Sequence, residues 1–348
     1  MGEDSPLVVD GSRGEGGGQI LRTALTLSML TGRSLRIVRI REGRPTPGLK
    51  AQHLASVQAA SAICGGSVTG ARIGSREVEF RPGPVRAGEY DLRIPTAGSA
   101  SLVLQTVAIP LAMAAGPSEV SVSGGTHVEW SPSAHFLRWH WAHWLGRIGL
   151  GVEVTMETAG FYPKGGGRLV LRCDGGGRPR AWSAPERGSL REVRGEVTIS
   201  RLSGSIGDRI AREARRHLAV MDASIDLSIR EVPSKGPGVS FDLLARLDGA
   251  TFATTCLGRR GLPAERLAQS CAEDLLGFLD GGAEIDRYLA DQALVPLVLA
   301  PGKSRFRAAE CTTHLLTNSG TIALFLGDRV RIEGKMGEEA EVTVEGGI

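Results

Sequence analysis

Four glycines crowd one carboxylate in the run Gly14-Glu15-Gly16-Gly17-Gly18-Gln19-Ile20-Leu21-Arg22. Glycine costs roughly 0.5–1 kcal/mol against alanine inside regular structure, so this density asks for a tight turn or a close backbone approach to a ligand. Ile20, Leu21, Ala24, Leu25, Leu27 and Ser28 then recur at helical spacing, and the glycines open a helix. A helix N-terminus offers free N–H groups and the positive end of the dipole, a setting that favours phosphate. Counted onto that first turn, Glu15, Gln19 and Arg22 fall at i, i+4 and i+7 and share a face. A carboxylate, an amide and a guanidinium there can hold a metal and a phosphate together; a solvated helix start behind a loose loop is the other reading. No Gly-Lys-Ser/Thr follows, so this is not a Walker A loop, and the spacing is not the dinucleotide G-x-G-x-x-G.

His314 stands between Cys311-Thr312-Thr313 and Leu315-Leu316-Thr317-Asn318, at the expected start of another helix. The dipole disfavours an imidazolium there and encourages a neutral ring, which as a nucleophile can attack phosphorus. A capping or core histidine fits the same position. Arg39, Arg41 and Arg44 alternate towards Pro45 and Pro47-Gly48-Leu49. They read as surface charge, or, if they converge beside Arg22, as a clamp for a polyanion. His135, His140 and His143 sit in the Trp-rich run Phe136-Leu137-Arg138-Trp139-His140-Trp141-Ala142-His143-Trp144, which reads as a packing helix; base stacking is the sharper alternative. Neither G-x-S-x-G nor H-E-x-x-H occurs.

The elements that must position these residues recur along the chain. Leu21 to Leu30 ends at Gly32 and Ser34 to Ile40 alternates as a strand; Leu102 to Ala115 ends at Gly116 and Ser118 to Ser123 follows; Ala293 to Ala300 ends at Pro301-Gly302 and Ser304 to Ala308 follows. A second helix and a strand pair come next each time: Pro47 to Cys64 with Ser67 to Ile73 and Glu77 to Phe80; Ser131 to Gly146 with Val152 to Glu157 and Arg168 to Arg172; His314 to Leu326 with Arg329 to Ile332 and Glu341 to Val344. The simplest account is an α/β (α+β) protein of three tandem βαβαββ units. The first helix of the third unit arrives late, near Asp286, so residues 184–280 are expected to form an inserted small α/β domain between Gly175-Gly176-Gly177 and Gly281-Gly282. Residues 1–183 and 281–348 then make up the large domain.

The chain has 348 residues, 41% hydrophobic, with a mean hydropathy of −0.04, as expected of an ordinary globular protein with a large core. No apolar run approaches about 18–20 residues, and Met1 to Asp10 carries acidic residues without a signal-peptide core, so neither a membrane span nor export is expected. Cys64, Cys173, Cys256, Cys271 and Cys311 are odd in number and lack a C-x-x-C pair; they read as free thiols of a cytoplasmic protein. A net charge of +3 does not by itself announce a nucleic-acid binder.

The glycine run resembles the RNA 3′-terminal phosphate cyclases. So do Ile40-Arg41-Glu42-Gly43-Arg44, Pro47-Gly48-Leu49, Gln52-His53-Leu54, Thr96-Ala97-Gly98-Ser99, Leu104-Gln105 and Ser123-Gly124-Gly125-Thr126. Phe161-Tyr162-Pro163-Lys164-Gly165-Gly166-Gly167, Tyr288-Leu289-Ala290-Asp291-Gln292 and His314-Leu315-Leu316-Thr317-Asn318 complete the resemblance nearly end to end. It implies three tandem units like the C-terminal domain of translation initiation factor 3, with the smaller domain inserted in the third. It also implies an ATP-dependent closure of an RNA 3′-phosphate end to a 2′,3′-cyclic phosphate, with His314 adenylated on the way. By the same resemblance Glu15 holds Mg²⁺ or Mn²⁺, Arg22 and Arg41 lie on phosphates, and Gln52 and Gln19 support them. Nucleotide contacts are implied for Gln105, Pro132, Phe136, Tyr288, Leu289, Ala290, Asp291 and Gln292, with Phe136 or Tyr288 stacking on adenine. His127-Val128-Glu129-Trp130 varies from the family pattern, which weakens the assignments of Pro132 and Phe136. Cyclase-like ribosome assembly factors lack the nucleophile, enolpyruvyl transferases have no use for it, and a plain RNA-binding module sits poorly with the modest charge. The oligomeric state is open.

Overall fold

The computed structural model describes residues 5–347. The first unit is β1 (Leu7–Asp10), α1 (Gln19–Thr31), β2 (Leu35–Val38), α2 (Ala51–Cys64), β3 (Ser67–Thr69) and β4 (Val78–Arg81). Its sheet runs β1-β2-β4-β3, with β1 parallel to β2 and the other pairs antiparallel. The second is β5 (Glu89–Arg93), α3 (Ala100–Met113), β6 (Ser118–Gly124), a π-helical turn Phe136–Trp141 continuing into α4 (Ala142–Arg147), β7 (Glu153–Thr158) and β8 (Gly167–Cys173). Its order, β5-β6-β8-β7, repeats the first, again with only the leading pair parallel. One βα crossover followed by a hairpin explains each order.

Residues 190–280 carry a sheet and a core of their own. They form β9 (Leu190–Ser200), α5 (Gly204–Leu218), β10 (Ser224–Glu231), β11 (Gly238–Leu247), β12 (Thr251–Leu257) and α6 (Ala264–Asp280), with strand order β10-β9-β11-β12. Ile210, Ala214, Phe241, Leu243, Ala268, Cys271 and Leu275 pack into a cluster separate from the main one.

The chain then returns as α7 (Leu289–Leu299), β13 (Gly302–Ala308), α8 (Thr313–Leu326), β14 (Val330–Glu333) and β15 (Ala340–Gly346), in a sheet ordered β13-β15-β14. The leading strand of this unit is split across the excursion. Ser183 makes a parallel bridge to Arg305 and Ile285 makes one to Ala308, so two single bridges on either side of residues 190–280 occupy the edge that β1 and β5 fill elsewhere. That split is why the helix after it comes late in sequence.

Two expectations need correction. Helix α1 begins at Gln19, not at Glu15, because the glycines coil into turns ahead of it. Glu15 therefore reaches the site from a loop and shares no helix face with Gln19 and Arg22. The Trp-rich run is helical, but its first six residues are π rather than α. Trp139, Trp141 and Trp144 are buried, in line with packing rather than open base stacking. α1, α3, α7 and α8 gather in the main core, where Leu21, Leu25, Leu104, Leu294 and Ile322 are fully buried. Helix α1 packs against both α3 and α8, and α7 packs against α8. Each unit thus contributes a helix to one centre.

Candidate active site

The glycine run folds back on the start of α8. Gly14 adopts φ +56°, and a Cβ there would lie 2.2 Å from Thr317 Oγ1, so only glycine fits. The close approach lets Glu15 N donate to Thr317 Oγ1 at 3.0 Å. The Glu15 carboxylate pairs with Arg44, whose Nη2 also donates to the Glu15 carbonyl at 3.2 Å. Its second oxygen, Oε2, is buried and has no hydrogen-bond partner among the described residues. A buried carboxylate oxygen in that condition calls for a missing donor or cation. A hard divalent cation such as Mg²⁺ or Mn²⁺, which prefers carboxylate oxygen, fits it.

His314 sits on the first turn of α8, where Thr312 Oγ1 caps the helix by accepting from Leu315 N at 3.0 Å. Its Nδ1 lies 2.8 Å from Gln19 Oε1. The Gln19 amide is fixed the other way round, with Nε2 donating to Asp291 Oδ2 at 2.5 Å. An amide oxygen only accepts, so His314 Nδ1 carries the proton and Nε2 keeps its lone pair. Nε2 makes no hydrogen bond among the described residues, and the ring is buried on its Gln19 side and open to solvent elsewhere. Asp291 is held in turn: Asn318 Nδ2 donates to its carbonyl at 2.9 Å and to Oδ2 at 3.2 Å, while Thr23 Oγ1 donates to Asn318 Oδ1 at 2.6 Å. α1, α7 and α8 each supply a member of this relay, so it exists only once the units have packed.

Electrostatics bias the same ring. Burial lowers the His314 pKa, and the cations Arg22 and Arg44 lower it further, so the neutral nucleophilic form dominates. Burial pulls Arg22 down to about 10, against the attraction of Asp291, and it remains a cation. Burial pushes Asp291 up to about 7, with Arg22 and the Gln19 hydrogen bond opposing. His53 is buried beside Arg22, Arg41 and Lys50; burial and then those charges push it down to about 3, so it is a neutral ring. A Cβ on Gly18 would lie 2.3 Å from His53 Nε2 and 2.8 Å from Arg22 Nη1, which shows how tightly the loop seats on both.

Arg41 has φ +56°, and its Nη1 donates to Thr46 O at 2.7 Å and Gly48 O at 3.0 Å. One arm of that guanidinium therefore shapes its own loop. Arg39 turns away to Asp10. Gln52 Oε1 accepts from Ser99 N at 3.0 Å, tying the start of α3 to α2. Around the N-terminus of α7, Gln105 Nε2 donates to Gln292 Oε1 at 2.5 Å and Gln292 Nε2 donates to Tyr288 O at 2.6 Å. The Tyr288 and Phe136 rings meet edge to face, 6.4 Å between centroids. Tyr288 is 44% exposed, with the Arg287 guanidinium 4.8 Å over its ring, and Phe136 is buried. The Leu289 and Ala290 side chains are core, and their backbone N–H groups donate to Asp286 Oδ1 at 3.0 Å and Asp286 O at 3.1 Å, so neither offers a free N–H to a ligand. Pro132 is half-buried ahead of Ser133, whose Oγ accepts from Phe136 N at 3.0 Å.

The structure thus gathers Glu15, Gln19, Arg22, Asp291 and His314, with Gln105, Gln292 and Tyr288 adjoining through α7. Sequence reasoning offered Arg44 only as part of a polyanion clamp and gave no role to His53, Thr317, Asn318 or Thr23. All but Thr23 lie within the motif runs already singled out, so proximity to those runs was the available signal.

A family model described as RNA 3′-terminal phosphate cyclase matches residues 13–332. A Ralstonia nicotianae protein named RNA 3′-terminal phosphate cyclase is 43% identical over 331 residues, covering 94% of this chain and 93% of its own. One of that name from Methylococcus capsulatus is 42% identical, with 92% and 91% covered. Another from Methanopyrus kandleri is 40% identical, with 98% and 99% covered. With the glycine loop, the basic turn and the histidine helix all inside the matched span, the chain belongs to the RNA 3′-terminal phosphate cyclase family.

Proposed function

We propose that the protein uses ATP to activate an RNA 3′-terminal phosphate and closes it onto the neighbouring 2′-hydroxyl. The observation that carries this reading is the His314 relay: Nδ1–H held by Gln19 Oε1 and Nε2 left with its lone pair beside the glycine loop. Nε2 attacks the α-phosphorus of ATP, a P–N bond forms, the α–β bridging P–O bond breaks and pyrophosphate leaves. The ring becomes cationic during attack, and its Nδ1–H bond to Gln19 strengthens as it does. An oxygen of the RNA 3′-phosphate then displaces the imidazole from AMP. The 2′-hydroxyl oxygen attacks the activated 3′-phosphorus, AMP departs and the hydroxyl proton is released.

Each step places charge on non-bridging oxygens, so stabilisation rests on fixed positive charge and free N–H groups. Arg22 would do that work, together with the loop amides of Gly17 and Gly18 and with Nη2 and Nε of Arg41, which make no hydrogen bond among the described residues. Glu15 Oε2 is the atom that would hold Mg²⁺ or Mn²⁺, which when bound neutralises triphosphate oxygens. Adenine would lie against the exposed part of Tyr288, beside Gln105 and Gln292. Gln52 supports by holding the start of α3 against α2.

The repeated strand order supports three tandem units like the C-terminal domain of translation initiation factor 3, with residues 184–280 inserted in the third. The five free cysteines suit a reducing cytoplasm. No helix among the described residues is long and apolar enough to cross a membrane.

The test is conversion of an RNA whose labelled 3′-terminal phosphate starts accessible to phosphatase. ATP and a divalent metal should render the label phosphatase-resistant, as a 2′,3′-cyclic phosphate. Conversion without ATP, or none under any metal, contradicts the reading.

A further inference from the structure

Away from the glycine loop, His127, His135 and Asp242 form a buried group whose ligating atoms all lie within 4.8 Å of one another. We propose that these three residues bind a divalent transition-metal ion of the Zn²⁺ type, which fastens residues 190–280 to the second unit. His127 and His135 lie in the loop between β6 and the π-helical turn, whereas Asp242 lies on β11 of the excursion. No residue of the His314 site takes part.

The spacing suits such an ion. His127 Nε2 is 3.1 Å from His135 Nδ1, and His135 Nδ1 is 3.3 Å from Asp242 Oδ2. Donors about 2.0–2.1 Å from a tetrahedral centre stand about 3.3 Å apart. The surrounding hydrogen bonds point the lone pairs inward. His135 Nε2 is 3.0 Å from Glu196 Oε1, and a carboxylate only accepts, so Nε2 carries a proton. His127 Nδ1 is 2.9 Å from Thr126 Oγ1, which accepts from Gly160 N at 2.9 Å and has a second lone pair for Nδ1–H. With those tautomers His127 Nε2, His135 Nδ1 and Asp242 Oδ2 are three acceptors facing one another, a donor set for a cation. Asp242 Oδ1 accepts from Ser133 at 2.7 Å and Thr255 at 2.6 Å, and Oδ2 accepts from Ser240 at 3.0 Å. Each ligand is thus oriented by an outer partner, and the Glu196–His135 pair is the carboxylate–histidine arrangement that metal sites use.

Charge separates the two occupants that fit. A proton on His135 is the alternative: burial disfavours it, and Asp242 and Glu196 more than offset that, raising this pKa to about 9. One proton balances one of the two buried carboxylates and leaves the other to Arg230, which is exposed to water. A divalent ion with both rings neutral balances Asp242 and Glu196 completely, and full neutralisation is what burial favours.

Metal analysis of the full chain, purified without added metal and then titrated with Zn²⁺ or Co²⁺ alone, decides between them. We expect one equivalent bound with Kd of about 1 μM or tighter. Co²⁺ should show visible ligand-field bands of a tetrahedral N/O site, and chelation should lower Tm. His127→Asn and Asp242→Asn should each lose the bands, while Glu15→Ala, which touches only the other candidate metal position, should keep them. If the intact protein binds Co²⁺ without tetrahedral bands, or if Zn²⁺ leaves its Tm unchanged, His135 holds a proton and the proposal fails.

Discussion

Replacing Gln19 by alanine removes the one contact that fixes the proton of His314. The loss can be sized from the contact itself. In the resting site Nδ1–H donates to a neutral amide oxygen at 2.8 Å, a bond that nets about 0.5–1.5 kcal/mol. Once Nε2 bonds to phosphorus the ring is cationic, and a bond from a charged donor nets about 1.5–3 kcal/mol. Only the increment favours the transition state over the ground state, about 1–1.5 kcal/mol, or about five- to fifteen-fold in rate. Single-turnover transfer of AMP from labelled ATP to the protein isolates that step, with Tm checked for each variant. Gln19→Glu sharpens the test through its sign. A carboxylate in place of the amide stabilises the imidazolium and raises the His314 pKa. The neutral nucleophile then appears only at higher pH, and the acid limb of the adenylation profile moves up. Adenylation by Gln19→Ala within about twofold of wild type, with no limb shift in Gln19→Glu, would refute the relay, since a charge-assisted bond is worth more than that.

Three further outcomes follow from the same geometry. Glu15→Ala deletes the carboxylate with the orphaned oxygen; adenylation should fall well over tenfold and recover partly at high Mg²⁺ or Mn²⁺, since charge in a dry phosphoryl site contributes several kcal/mol. A normal rate at limiting metal would reduce Glu15 to a loop-shaping residue. Arg44→Ala withdraws one of the cations that, after burial, hold His314 below its ordinary 6.5, so the acid limb should rise towards that value; an unmoved limb counts against Arg44 acting on the ring. Trp141→Ala empties a core position that is 2% exposed and should cost about 3–5 kcal/mol in denaturant unfolding, and a loss under about 1 kcal/mol would contradict its packing role.

Much of this was legible in the sequence because local chemistry wrote it. Gly32 stops α1 in the left-handed conformation at φ +71°, and alternation marks β2, β6 and β13. The late third helix betrayed an excursion. The split leading strand could not be read, because single bridges at Ser183 and Ile285 leave no periodicity. Helical counting placed Glu15 on α1 by assuming that the glycines were already helical, whereas positive φ at Gly14 and Gly16 keeps them out. The His314 environment was the least visible. Gln19 and Asp291 are 272 positions apart, so no spacing rule joins them, and the likeness to a family supplied their neighbourhood without their hydrogen bonds. His127 and His135 were read as motif variation and core because their carboxylate partners lie on the strands of residues 190–280.

The most direct measurement is transfer of radioactivity from α-labelled ATP onto the protein, with the labelled residue located by peptide mapping. An acid-labile, alkali-stable adduct on His314, lost in His314→Ala and His314→Asn while both variants keep the wild-type Tm, is what the relay geometry requires. A label that survives in the His314→Ala protein, or that maps to any other side chain, contradicts it.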